Sequence, residues 1–209
     1  MSSGDRPKQF LALFSDKSLC QETALRFKAQ GMERLVFVCG KRHAATIEEQ
    51  LRAIDITDYT LIIEPVGRDT APAIALAAIL LSKQDPETRM LVVPSDHYIQ
   101  YPDPFFKAVT LSAKALAEKP GFALFGVAPS YPETGYGYIK PGADYTGKNT
   151  SVYQIERFIE KPSLEKAQQL MGEGYLWNSG MFLLPAKLYL TELAHFQPAI
   201  VRSAEAAMA

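Results

Sequence analysis

Leu61-Ile62-Ile63-Glu64-Pro65-Val66-Gly67-Arg68-Asp69-Thr70-Ala71-Pro72-Ala73-Ile74 decides the fold class of this chain. Three aliphatic residues bounded by a polar turn have the length and composition of a buried strand. After the turn, Thr70 is placed to cap a helix and Pro72 falls in its first turn, so the spacing predicts a helix from Thr70 to Ser82. That helix is apolar nearly all round, which predicts burial. A short strand feeding a buried helix is half of a βαβ unit, and the same grammar recurs on both sides. Upstream, Leu35-Val36-Phe37-Val38-Cys39 and Gly40 read as a strand and its turn, followed by a helix over Ala44 to Ala53. Downstream, Met90-Leu91-Val92-Val93-Pro94 is a strand, Pro104 to Glu118 a helix and Phe122 to Val127 a strand. Short strands alternating with helices predict an α/β fold: a Rossmann-like, mostly parallel sheet flanked by helices.

The pattern changes after residue 130. Pro132 to Ile139 reads as a turn entering a strand, Ser151 to Ile159 as a long strand, and Ser163 to Met171 as a helix capped by Ser163. Trp177 to Leu184 is a strand containing Gly180, and Pro185 to Phe196 and Pro198 to Met208 are helical. Gly142 to Thr150 is the best loop candidate, and no tandem repeat or linker interrupts the chain. One domain over 1–209 is the expectation for 209 residues.

Charge narrows the function classes. The chain has 22 basic and 23 acidic side chains, net charge -1, which excludes binding of nucleic acid by bulk positive charge. A 47% hydrophobic and 22% charged composition is that of an ordinary folded chain. The most apolar run, Ala71 to Leu81, falls short of the roughly 20 residues a membrane helix needs. Met1 to Arg6 has no apolar signal core, and Cys20 and Cys39 have neither disulfide-framework nor zinc spacing, so a cytoplasmic protein is expected.

In open α/β sheets ligands bind beyond the carboxyl ends of strands. Glu64 and Ser95-Asp96-His97 fall at such ends. Gly67-Arg68-Asp69-Thr70 lies at a helix N-terminus, where backbone N–H groups and the dipole favour an anion, and Arg68 adds a fork of donors. Asp96 either ligates a hard divalent cation such as Mg²⁺ or caps the next turn. Lys8 is either a point charge for phosphate or a solvated lysine. Glu160 could accept from sugar hydroxyls and Lys161 could meet a phosphate, or the two are an exposed charge pair. Asn178 could bind a hydroxyl or satisfy a backbone kink beside Gly180. Gly135 and Gly137 permit a turn or a close approach of backbone to ligand.

The order of these signals adds specificity. Pro7-Lys8-Gln9-Phe10-Leu11 is followed by Glu64 to Ile74, then by Pro94-Ser95-Asp96-His97. Glu133-Thr134-Gly135-Tyr136-Gly137-Tyr138-Ile139, Phe158-Ile159-Glu160-Lys161-Pro162 and Trp177-Asn178-Ser179-Gly180-Met181-Phe182 complete the series. Taken together from about residue 4 onward, they resemble the mannose-1-phosphate guanylyltransferases, a sugar nucleotidyltransferase family. The similarity is greatest to the bacterial long form, in which this domain precedes a phosphomannose isomerase domain.

The resemblance implies a Mg²⁺-dependent reaction of GTP with mannose 1-phosphate to give GDP-mannose and pyrophosphate. It implies that Lys8 binds phosphate near the reacting centre and Asp96 holds the metal. Glu64, Gly67, Arg68 and Thr70 would serve the nucleotide, Gly137, Glu160 and Asn178 the mannose, and Lys161 the sugar phosphate. GTP and mannose 1-phosphate are then the partners, with no nucleic acid or membrane and a possible homo-oligomer. Asp69 departs from the Asn common in the family. Family members also open with a strand and a GGxGxRLWPLS-type loop, whereas only Met1 to Arg6 precede Pro7 here, and a second metal-binding Asp would lie beyond Ala209. The expectation is therefore a nucleotidyltransferase domain lacking the family's first strand, incomplete at both ends, and nearly inactive on its own. The alternatives are a non-catalytic fragment that keeps the scaffold, and a nucleotidyltransferase for another hexose 1-phosphate.

Overall fold

The computed structural model describes residues 7–32, 34–148 and 150–208. Its helices are α1 (Leu19–Lys28), α2 (Ala44–Arg52), α3 (Thr70–Ser82), α4 (Pro102–Glu118), α5 (Leu164–Gly172), α6 (Ala186–Phe196) and α7 (Pro198–Ala207). Its strands are β1 (Leu35–Gly40), β2 (Tyr59–Glu64), β3 (Arg89–Val92), β4 (Ala123–Val127), β5 (Gly137–Asp144), β6 (Tyr153–Glu160) and β7 (Leu176–Pro185). Single 3-10 turns occupy Lys8–Phe10 and Lys41–His43. The chain divides into two units: Met1–Thr88, Pro94–Pro102 and Ala186–Ala209 form the first, and Arg89–Val93 with Asp103–Pro185 the second.

In the first unit β1 and β2 pair in parallel, from Leu35 opposite Tyr59 to Gly40 opposite Glu64. Their apolar residues meet a core of Phe10, Cys20, Ala24, Ile47, Leu51 and Ile56. α1 was not among the elements predicted, although its start is written in the sequence. The Ser18 hydroxyl accepts from Gln21 N–H while the Gln21 side chain accepts from Ser18 N–H, a capping box. α3 runs over the predicted residues, and its apolar surface is consumed by α6 and α7, with Ala75, Ile79 and Ala204 buried together. Its cap differs from prediction. Thr70 is the first helical residue, and the preceding Asp69 makes no side-chain cap bond.

In the second unit β7 is the spine. Leu183 is the partner of both Leu91 on β3 and Ala123 on β4, so those strands lie on opposite edges of β7, and both run antiparallel to it. β5 pairs with β7 through Tyr138–Trp177 and Ile139–Leu176, and β6 pairs with β5, again antiparallel. α5 packs Ala167 and Leu170 against fully buried Tyr138. The α/β class with flanking helices holds, but the expected mostly parallel sheet is corrected. Among the described strands only β1 and β2 pair in parallel; β3 and β4 share a direction, yet β7 lies between them. β1 and β2 form a two-stranded sheet, and the other five described strands form a second sheet. β5 runs into the predicted loop, with register shifts on either side of Pro141, which has no N–H for the ladder. No described helix is long and apolar enough to cross a membrane.

Candidate active site

Two groupings of the predicted residues lie in the first unit. Lys8 sits on the 3-10 turn whose last residue, Phe10, is buried in the core. Its Nζ approaches Asp96 Oδ2 at 3.8 Å, and His97 Nε2 lies 4.0 Å from Asp96 Oδ1. The Lys8 and Asp96 side chains are 57% and 40% exposed, so this pair contributes well under about 1 kcal/mol to stability. Burial holds the His97 imidazole below its ordinary pKa against the opposing pull of Asp96, so it is neutral at pH 7. Arg26 donates to the His97 carbonyl at 3.4 Å and ties this segment to α1.

The second grouping is the β2–α3 turn. Glu64 ends β2, half-buried, and burial pushes its carboxyl above the ordinary value. Gly67, Arg68, Asp69 and Thr70 are exposed where α3 begins. Asp69 has φ 66° and ψ -171°, a region that is otherwise almost confined to glycine. The first turn of α3 follows, and helix N-termini favour anions.

The second unit gathers the remaining candidates. Gly137 is the register partner of Glu160 across β5 and β6. A Cβ on Gly137 would lie 2.7 Å from Glu160 Oε2, 2.7 Å from Phe158 Cζ and 3.4 Å from Asn178 Cβ. Residues scattered from 137 to 178 thus meet around one missing methyl group. Lys161 Nζ lies 3.7 Å from Glu160 Oε1, and the Lys161 backbone, at φ 44°, donates its N–H to the Tyr136 carbonyl at 3.1 Å. Asn178 Oδ1 accepts the Gly180 N–H at 3.1 Å, which satisfies the kink at Gly180 (φ 70°) and leaves its NH₂ pointing elsewhere as a donor.

The sequence missed an aromatic cluster in the second unit. Tyr131 and Tyr136 meet Trp177 edge to face at 5.0 and 5.5 Å. Trp177 Nε1 is buried without a hydrogen-bond partner among the described residues, and Phe158 is exposed beside Gly137. Phe158 could have been found from its i, i+2 spacing to Glu160, which places both on one face of β6.

A metal at Asp96 is compatible with these residues. Its oxygens are approached by Lys8 and His97 only at 3.8 and 4.0 Å, so the carboxylate is accessible to a cation. Among the described residues no group of three or more His, Cys, Asp or Glu converges.

The first unit thus sets a cationic side chain, Lys8, beside a carboxylate, Asp96, within an α/β fold. The profile of the nucleotidyl transferase family matches residues 1–209, and the chain belongs to that family. It is 42% identical over 203 residues, 97% of its length, to a mannose-1-phosphate guanylyltransferase of Klebsiella pneumoniae, and spans 43% of that relative. Its fold superposes with TM-score 0.81 and 34% identity on a mannose-6-phosphate isomerase from Helicobacter pylori, covering 95% of this chain and 73% of the other. A protein described as mannose-1-phosphate geranyltransferase from Thermus thermophilus superposes with TM-score 0.81 and 33% identity, covering 99% of this chain and 58% of that one.

Proposed function

We propose that this chain carries the guanylyl-transfer activity that converts GTP and mannose 1-phosphate to GDP-mannose and pyrophosphate. The observation that carries it is the Lys8–Asp96 pair, an ammonium and a carboxylate held 3.8 Å apart without closing on each other, in a chain of this family. Such a pair adds little stability but provides one charge for phosphate and one for a cation. The similarity to a guanylyltransferase over 97% of the chain supports the choice of base and sugar.

The sugar-phosphate oxygen attacks the α-phosphorus in line and the pyrophosphate oxygen departs, so no covalent enzyme intermediate is required. Positioning and charge neutralisation are then the tasks left to the protein. Lys8 neutralises phosphate oxygens as a point charge. Asp96 would hold Mg²⁺, which supplies further neutralisation of the phosphates when bound. Arg68 and the backbone at Gly67 and Thr70 receive nucleotide anion and ribose, and Glu64 accepts from N–H or hydroxyl groups of the nucleoside. In the second unit Glu160 accepts from mannose hydroxyls, Asn178 donates, and Gly137 leaves the space they enclose; Lys161 pairs with the sugar phosphate. GTP, a cytosolic metabolite, is consistent with a cytoplasmic protein.

Chromatographic detection of GDP-mannose from GTP, mannose 1-phosphate and Mg²⁺ tests this. The product is expected with the native chain and absent with Asp96→Ala. Equal product from both chains would overturn the role of Asp96, and no product from either would overturn the activity.

A further inference from the structure

Gln50 on α2 holds the turn that carries Lys8, and nothing in the reaction above uses it. Its Nε2 donates to the Phe10 carbonyl oxygen at 3.2 Å, and its Oε1 accepts the Ser18 hydroxyl at 2.6 Å. Its own backbone carbonyl accepts Gln21 Nε2 at 2.8 Å. Ser18 is 3% exposed and its oxygen already accepts Gln21 N–H, so its hydroxyl proton is directed to Gln50. That fixes the amide with its NH₂ toward Phe10.

Phe10 is where this bond has most effect. Within the 3-10 turn Phe10 N–H reaches the Pro7 carbonyl and Leu11 N–H reaches the Lys8 carbonyl. The Phe10 carbonyl, at the C-terminal end, is one that the turn itself leaves without a partner. Gln50 supplies it. A cavity of about 290 Å³ borders Phe10, Leu11 and Gln50, so packing on that side does not replace the bond once lost. Lys8 precedes Phe10 by two positions, and its Nζ must reach the neighbourhood of Asp96.

We infer that Gln50 is a positioning residue: through the Phe10 carbonyl it fixes the turn that delivers the Lys8 ammonium beside Asp96. The inference rests on the proposed role of Lys8, and its test separates the two. Gln50→Glu keeps the shape and the Ser18 contact but sets a carboxylate oxygen against the Phe10 carbonyl; Gln50→Ala removes the group without adding charge. Amide hydrogen exchange at Phe10 and Leu11 is expected to accelerate about tenfold or more in both variants, with β1 amides unchanged. The rate of GDP-mannose formation is expected to fall about tenfold in Gln50→Glu, as for a displaced catalytic group. In a Lys8→Ala background the same substitution is expected to change the rate less than about twofold, because the group it positions is gone. A merely structural role would give the same loss in both backgrounds, and that outcome, or unaltered exchange at the turn, overturns the inference. If the native chain makes no GDP-mannose, the functional reading fails, and exchange at Phe10 and Leu11 still decides whether Gln50 holds the turn.

Discussion

Asp69, with φ 66° and ψ -171°, sits in backbone space that glycine occupies without strain and other residues occupy at a cost of about 1–3 kcal/mol. Its carboxylate makes no cap bond that would offset this. Asp69→Gly is expected to raise stability by about 1 kcal/mol after glycine's entropic cost, seen as a thermal midpoint about 2–4 °C higher. Lys8→Ala has the opposite signature. Because the Lys8–Asp96 pair is exposed on both sides, the thermal midpoint is expected to stay put while GDP-mannose formation falls by at least about tenfold. Gly137→Ala inserts a methyl 2.7 Å from Glu160 Oε2 and Phe158 Cζ, and is expected to raise the KM for mannose 1-phosphate while leaving that for GTP unchanged. Residue types and order in the sequence were enough to nominate Lys8, Asp96, Gly137, Glu160 and Asn178. The meeting of Tyr131 and Tyr136 with Trp177 was not legible, because it depends on cross-strand register, which no single segment encodes.

Element boundaries were legible wherever periodicity and caps agreed. α3 matches its predicted span, and Ser163 caps α5 as expected, its oxygen accepting Lys166 N–H at 3.3 Å. Ser163→Ala is expected to cost about 1 kcal/mol, measurable as a lower urea midpoint. Strand direction was not legible. A short apolar strand reports burial and says nothing of which neighbour it pairs with, so the antiparallel role of β7 appeared only with the register. α1 was hidden because its apolar face is brief and its cap lies in a polar stretch. The loop after β5 carries its own pH dependence. Burial opposes ionisation of Asp144, but hydrogen bonds from Thr150 N–H, the Thr146 hydroxyl and Lys148 N–H outweigh it and hold the carboxyl below its ordinary value. A depressed carboxyl stabilises the fold above its unfolded value, near pH 4, and that contribution disappears as pH falls through the folded value. Asp144→Asn is therefore expected to unfold with a shallower acid limb than the native chain below about pH 4, read from urea midpoints across pH.

At the scale of the whole chain, the candidates for nucleotide fall in the first unit and those for sugar in the second. Hydrogen exchange is expected to show Mg²⁺–GTP protecting the β2–α3 turn and the Asp96 segment, and mannose 1-phosphate protecting β5, β6 and the start of β7. The α/β class was legible from alternation of strand and helix; the division into units was not, because each unit draws on distant stretches of sequence. The most direct test of the central claim is a competition among substrates. The chain is given GTP and UTP together with mannose 1-phosphate and glucose 1-phosphate in the presence of Mg²⁺, and the sugar nucleotides formed are resolved by chromatography. GDP-mannose is expected to be the dominant product and to vanish in Asp96→Ala. A dominant UDP-sugar, or GDP-mannose that persists without the Asp96 carboxylate, would contradict the account.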